Sequence, residues 1–244
     1  MTKKQSLPHS NICSKRALVD YRIESESIDE LTRLGVKVYK TTPINSLYTE
    51  VDGHADMQIH FIDKKAVCAP EAYDYYKSLD LPDIKLICGS RALYNKYPDD
   101  IAYNVCSFGK YVICRPLCTA IEILTEYHYL KKEILNTRQG YAKCNICIVS
   151  DNCVITSDNG LYKLMTQHGI ETLKIRKGFI ELYNMEGFIG GASGLIDNKT
   201  LCFNGNIKTH PDAENIKSFC KNAGVDVISL NNGNLKDIGS ILVF

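Results

Sequence analysis

The chain has 244 residues, 45% of them hydrophobic, enough to bury one sizeable core and to favour a single domain over residues 1–244. Lys and Arg number 29 against 28 acids, for a net charge of +1, and no basic tract carries interleaved aromatics, so a nucleic-acid partner is not expected. The longest apolar runs are far shorter than a membrane span, and the opening MTKKQSLPHSN lacks the apolar middle of an export signal; a soluble, cytoplasmic protein with no membrane partner is expected, residues 1–14 forming a flexible N-terminal segment.

From Ala17 the pattern reads strand, helix, strand: ALVDYR, SESIDELTRLG and VKVYK. A longer unit follows, in which GHADMQIHFI and AVCAP form a hairpin, EAYDYYKSL a helix and IKLICGS a closing strand. The third unit opens with AYNVCSFGKYVICRP and continues into TAIEILTEYHYLKKEILN, read as one long helix with Ile121, Leu124, Tyr127 and Ile134 on one face. In the fourth, GYAKCNICIV turns at Asp151-Asn152 into CVITS, and DNGLYKLMTQHGI is a helix closed by Gly169 before the strand ETLKIRKG. The last complete unit is GGASGLIDNKTLCFNGN, PDAENIKSFCKNAGV and DVISL, with Pro211 near the helix start and Gly224 past its end.

These segments are a weak repeat of roughly 40 to 50 residues. Four units are complete, and the strand–helix–strand at the start needs only the strand 239–244 to make a fifth. A ring closed by pairing the last strand with the first segment has no exposed seam. The expected fold class is therefore α/β, as a five-bladed pseudosymmetric α/β propeller. Eleven cysteines are many, but most lie in apolar runs where Cys acts as a small hydrophobe, and the odd number argues against a disulfide framework.

Two segments carry chemistry. VDGHADMQIHF resembles the Asp-Gly-His-x-Asp segment of agmatine deiminases, and GYAKC resembles the segment that holds the arginine deiminase nucleophile. With the five-unit ring, these identify the chain as similar to the pentein superfamily of guanidine-modifying enzymes, in a permuted and divergent form. The relatives carry His-x-Asp in mid-chain and Cys near the C-terminus, whereas here His54 is early, Cys144 is central, and DIGSILVF has no Cys. Around a ring the relation survives, because Cys144 still lies two units after His54. The resemblance implies a hydrolase or transferase acting on a C–N bond of an amidine, guanidine or amide, with Cys144 as nucleophile and His54 and Asp56 as its partners on one strand face. It also implies substrate contacts from Asp237, Ser193, Asn104 and Glu186, a small-molecule substrate, and no cofactor or metal.

Two other readings compete. Some penteins bind without catalysis, as ribosome anti-association factors do, and the incomplete set of carboxylates suits such a role. Cys144-x-x-Cys147 supplies only half of a structural zinc site or a redox pair, with no second CxxC at finger spacing. Ser193 in GGASG superficially resembles a nucleophile elbow and is better read as a turn.

Overall fold

Residues 15–244 are described in a computed structural model of the chain. The segment 1–14, expected to be flexible, lies outside the described residues, as does Cys13.

One three-stranded topology occurs five times. In the first sheet β1 (Lys15–Val19) leads through α1 (Ser25–Arg33) to the parallel strand β2 (Val36–Lys40). The second unit opens on a one-turn helix, α2 (Ala55–Gln58), and continues with antiparallel β3 (Ile59–Ile62) and β4 (Lys65–Cys68), then α3 (Pro70–Ser78) and β5 (Lys85–Cys88), parallel to β4. The third follows the same order with β6 (Cys106–Phe108), β7 (Tyr111–Cys114), α4 (Ile121–Tyr129) and β8 (Glu133–Asn136). The fourth has α5 (Ala142–Asn145), β9 (Cys147–Ile148), β10 (Cys153–Thr156), α6 (Asn159–Gln167) and β11 (Glu171–Lys174). After a small ribbon, β12 (Glu181–Leu182) and β13 (Met185–Glu186), come β14 (Ser193–Asp197), β15 (Thr200–Phe203), α7 (Ala213–Asn222) and β16 (Asp226–Ser229). The last strand, β17 (Leu242–Val243), returns to pair antiparallel with β1, Leu18 opposite Leu242, and completes the first sheet.

Turn chemistry explains the regularity. The hairpins β3–β4 and β6–β7 close through two-residue loops that begin with Asp63 and Gly109, at φ 50° and 49°, the left-handed start that two-residue hairpins favour. Every long helix then ends the same way, two residues past its last turn, in a residue at positive φ: Gly35, Asp80, Lys131, Gly169 and Gly224. That backbone lets the chain leave the helix and enter the parallel strand. The long helix expected over 119–136 is corrected here, since α4 stops at Tyr129 and Ile134 lies on β8. The stop went unread because Lys131, at φ 54°, stands where three other units have glycine.

One edge strand of each three-stranded sheet, β3, β6, β9, β14 and β17, contributes to one cavity of about 300 Å³, lined by Phe61, Phe108, Ile148, Leu195 and Val243 together with Asp56 and Lys143. Elsewhere, buried side chains form the core between sheets and helices, and cysteines are part of it. Ten cysteines are free among the described residues, and all but Cys88 and Cys153 are buried. Among the described residues no helix is long and apolar enough to cross a membrane.

Two outcomes follow from this architecture. Lys131→Gly removes the strain of a left-handed non-glycine residue and is expected to raise stability by about 0.5–1 kcal/mol in urea titrations; an unchanged or lower midpoint would refute it. Burial pushes the Cys106 thiol up to about 12 and Cys147 to about 11. A raised thiol favours the folded state below its ordinary value near 9 and withdraws that support as pH climbs through 11 and 12, by about 1.4 kcal/mol per unit per group. The urea midpoint should therefore fall between pH 8 and pH 10.5, and fall less in Cys106→Ala.

Candidate functional site

The two segments singled out in the sequence begin as single helical turns, not strands. His54 is the residue before α2 and Asp56 lies within it, while Cys144 lies within α5. The strand-face alternation expected for His54 and Asp56 is corrected accordingly: a helical turn separates their side chains, and only from Ile59 does the chain extend. His60, on β3, is bound to Tyr127 Oη at 2.5 Å, and Gln58 is taken up by Tyr76 and by the carbonyls of Thr42 and Asp52.

The turns bring Asp56 and Cys144 together. The Cys144 thiol donates to Asp56 Oδ2 at 3.3 Å, and Asn104 Nδ2 donates to Cys144 Sγ at 3.0 Å. Asn104 in turn accepts the Lys143 N–H through Oδ1 at 2.8 Å, so its amide is fixed by the helix that carries the sulfur. The C-terminal segment secures the carboxylate from the other side: Ser240 Oγ donates to Asp56 Oδ2 at 2.6 Å, and the Asp56 N–H donates to Gly239 O at 3.1 Å. Asp56 Oδ1 is buried without a partner.

His54 stands with a different acid. Its Nδ1 lies 3.8 Å from Asp237 Oδ1, an ion-pair separation longer than a hydrogen bond, and both side chains are buried. Asp237 is held by backbone donors, Phe188 N at 2.9 Å and Gly239 N at 3.0 Å. No hydrogen bond joins His54 to Asp56 or to Cys144 among the described residues. Glycines make this density feasible. A Cβ on Gly191 would lie 2.0 Å from Asp237 Oδ1, and one on Gly239, at φ +66°, would lie 2.3 Å from the His54 Cβ.

Burial, with charge behind it, sets the protonation of the site. Burial, then the Asp56 and Asp237 carboxylates, push the Cys144 thiol well above its ordinary value, while the Asn104 amide opposes this. Burial also raises Asp237, with the charge of His54 pulling the other way and that of Asp56 adding to the rise. The thiol is thus held protonated until something offsets the carboxylates.

The other expected contacts divide. Asn104 and Asp237 are in the cluster. Ser193 bonds Gly190 O and lines the cavity rather than meeting Cys144, and Glu186 is exposed on β13, 3.7 Å from Lys177. Sequence reasoning missed Lys143 and Ser240. Lys143 Nζ donates to Ser240 Oγ at 2.9 Å, and the signals were its place next to Cys144 and the position of Ser240 three residues after Asp237. Among the described residues no group of three or more His, Cys, Asp or Glu side chains could hold a metal ion.

Comparison with known proteins places this geometry. The sequence model of a family described as "Family of unknown function (DUF6873)" matches residues 18–242. No curated protein matches the chain. Among solved structures, DDAH from Pseudomonas aeruginosa, in a complex with citrulline, is 8% identical at a TM-score of 0.56, covering 94% of this chain and 98% of its own. An amidinotransferase of saxitoxin biosynthesis from Microseira wollei is 13% identical at 0.53, covering 84% and 72%. The inosamine-phosphate amidinotransferase of Streptomyces griseus is 13% identical at 0.50, covering 89% and 81%. The fold is that of the pentein superfamily.

Gly191→Ala forces the Asp237 carboxylate aside and is expected to cost roughly 1–3 kcal/mol and to move the ring resonances of His54 in NMR spectra. Wild-type stability together with unmoved resonances would show that the glycine is not holding the pair.

Proposed function

The chain belongs to DUF6873, a family of unknown function, and from that starting point we propose that it is a cysteine hydrolase or transferase acting on a carbon–nitrogen bond of a small amidine, guanidine or amide. One observation carries the reading: a buried thiol set between a carboxylate and an amide donor, beside a carboxylate oxygen that has no partner. Two buried carboxylates that meet no Lys or Arg among the described residues, Asp237 standing beside the His54 ring, form a site for a planar, N–H-rich group whose positive charge would complete it. In this reading the five sheets are the blades of a five-bladed ring, and the cavity between their edge strands marks its axis. Solved structures of the same fold include DDAH with citrulline and amidinotransferases, which supports C–N chemistry at the same class of site.

Substrate N–H groups dock against Asp56 Oδ1. The incoming charge offsets part of what burial and the carboxylates do to Cys144, and so raises its thiolate share on binding. The S–H proton passes to Asp56, and the sulfur electron pair bonds to the trigonal carbon to give a tetrahedral adduct. His54, beside Asp237, gives a proton to the departing amine as the C–N bond breaks. Water or an acceptor amine, losing a proton to His54, then attacks the thioester-like or thiouronium carbon, and as the C–S bond breaks the sulfur takes its proton back from Asp56 to release Cys144. Asn104 holds the sulfur at its attack position throughout.

A second reading, binding without catalysis, draws on the same elevated thiol, which left alone behaves as a buried hydrophobe. Turnover separates the two. Purified protein is expected to release ammonia from at least one of agmatine, arginine or a simple amide. Cys144→Ser should abolish the release, and Asp56→Asn should slow it by about 10²- to 10⁴-fold. Absence of turnover on the whole set, with Cys144 alkylated by iodoacetamide no faster than the other buried cysteines, would favour binding.

A further inference from the structure

Lys143 is a partly buried cation with no carboxylate in direct contact among the described residues, and it lies beside the nucleophile in sequence. Its ammonium is directed through one hydroxyl. Lys143 Nζ donates to Ser240 Oγ at 2.9 Å, Ser240 Oγ donates to Asp56 Oδ2 at 2.6 Å, and the Cys144 thiol donates to the same Asp56 oxygen at 3.3 Å. The chain of contacts joins three elements distant in sequence, α5, α2 and the segment before β17, and ends at the cavity whose wall includes both Lys143 and Asp56.

We propose that Lys143 and Ser240 are positioning residues that hold the Asp56 carboxylate turned toward Cys144 as the acceptor of its proton. The proposal rests on the reading above of Cys144 as a nucleophile. Its physical basis is that Asp56 Oδ2 bears two short contacts while Oδ1 bears none. A buried carboxylate keeps one orientation where donors hold one of its oxygens and leave the other open. Ser240 supplies the donor, and Lys143 aligns that hydroxyl and supplies the charge from one bond further away, which leaves Oδ1 open to substrate. In the step so assisted, the S–H bond breaks, Asp56 gains the proton, and the electron pair stays on sulfur. The other groups facing this set are Asp237 and Asn104 around the sulfur, and His60, Cys106 and Cys147 around the ammonium.

The test is the pH dependence of Cys144 alkylation in the full chain, followed by mass spectrometry of the Cys144 peptide, which needs no substrate. Lys143→Met, which removes the nearby cation, is expected to move the midpoint of alkylation upward by about one pH unit and to slow labelling at pH 8 about tenfold, with Lys143→Arg recovering most of the shift, whereas Ser240→Ala, which lets Asp56 turn away from the sulfur, is expected to move the midpoint downward. A role in folding alone would lower the urea midpoint and leave the labelling profile in place. Unmoved profiles in both folded variants would overturn the proposal, as would a Cys144 that resists alkylation at every pH at which the other buried cysteines react. The two readings fail separately. If Cys144→Ser abolishes turnover while Lys143→Met leaves kcat and the profile intact, the positioning role falls and the reaction stands. A shifted profile in a protein that turns over nothing leaves the positioning intact and removes the reaction.

Discussion

The meeting of the Cys144 thiol with the Asp56 carboxylate, 3.3 Å apart across 88 residues of sequence, is the contact on which the rest of the site depends. Neither residue is held there by its own sheet. Asp56 takes a hydroxyl from Ser240 and gives its N–H to Gly239, and Cys144 accepts the Gly191 N–H at its carbonyl and the Asn104 amide at its sulfur. Both of the C-terminal contributions exist because β17 crosses back to β1, so the pairing that completes the first sheet also builds the wall of the site. The closure of the fold and the assembly of the site are thus one event.

Burial of several acids in one place is costly, and the protein meets that cost with neutral donors. Backbone N–H groups of Phe188 and Gly239 serve Asp237, and a serine hydroxyl serves Asp56. Such donors are fixed in place and screen the charge only in part, which is why the thiol stays raised and one carboxylate oxygen stays open. A site left short of compensation in this way is less stable than a filled one, and the shortfall becomes available as binding energy for a ligand of matching charge.

Much of this was legible in the sequence, and the losses have specific causes. Counting units around a ring put Asp56, Asn104, Cys144 and Asp237 in one neighbourhood, because a repeat is visible in hydrophobic pattern even where identity is absent. The pairing inside the neighbourhood was not legible. His54 stands with Asp237 instead of Asp56, since a single helical turn, too short to leave a periodicity, rotates Asp56 toward the sulfur. The end of α4 was hidden by Lys131 in a conformation that glycine marks elsewhere. Glu186 was placed by its distance along the chain, and the β12–β13 ribbon carries it away to the surface.

Gly190 shows what such a design asks of a sequence. A side chain there would meet three carbonyl oxygens of the Cys144 turn, those of Lys143, Cys144 and Ile146, at 2.3–2.6 Å. The backbone leading into β14 therefore rests directly on the backbone that carries Cys144, with no side chain as a spacer. Contacts of that kind do not register substitutions elsewhere in either sheet, because no variable atom lies between the two surfaces. Gly190 thus marks where the two surfaces touch, and any other residue there would have to part them.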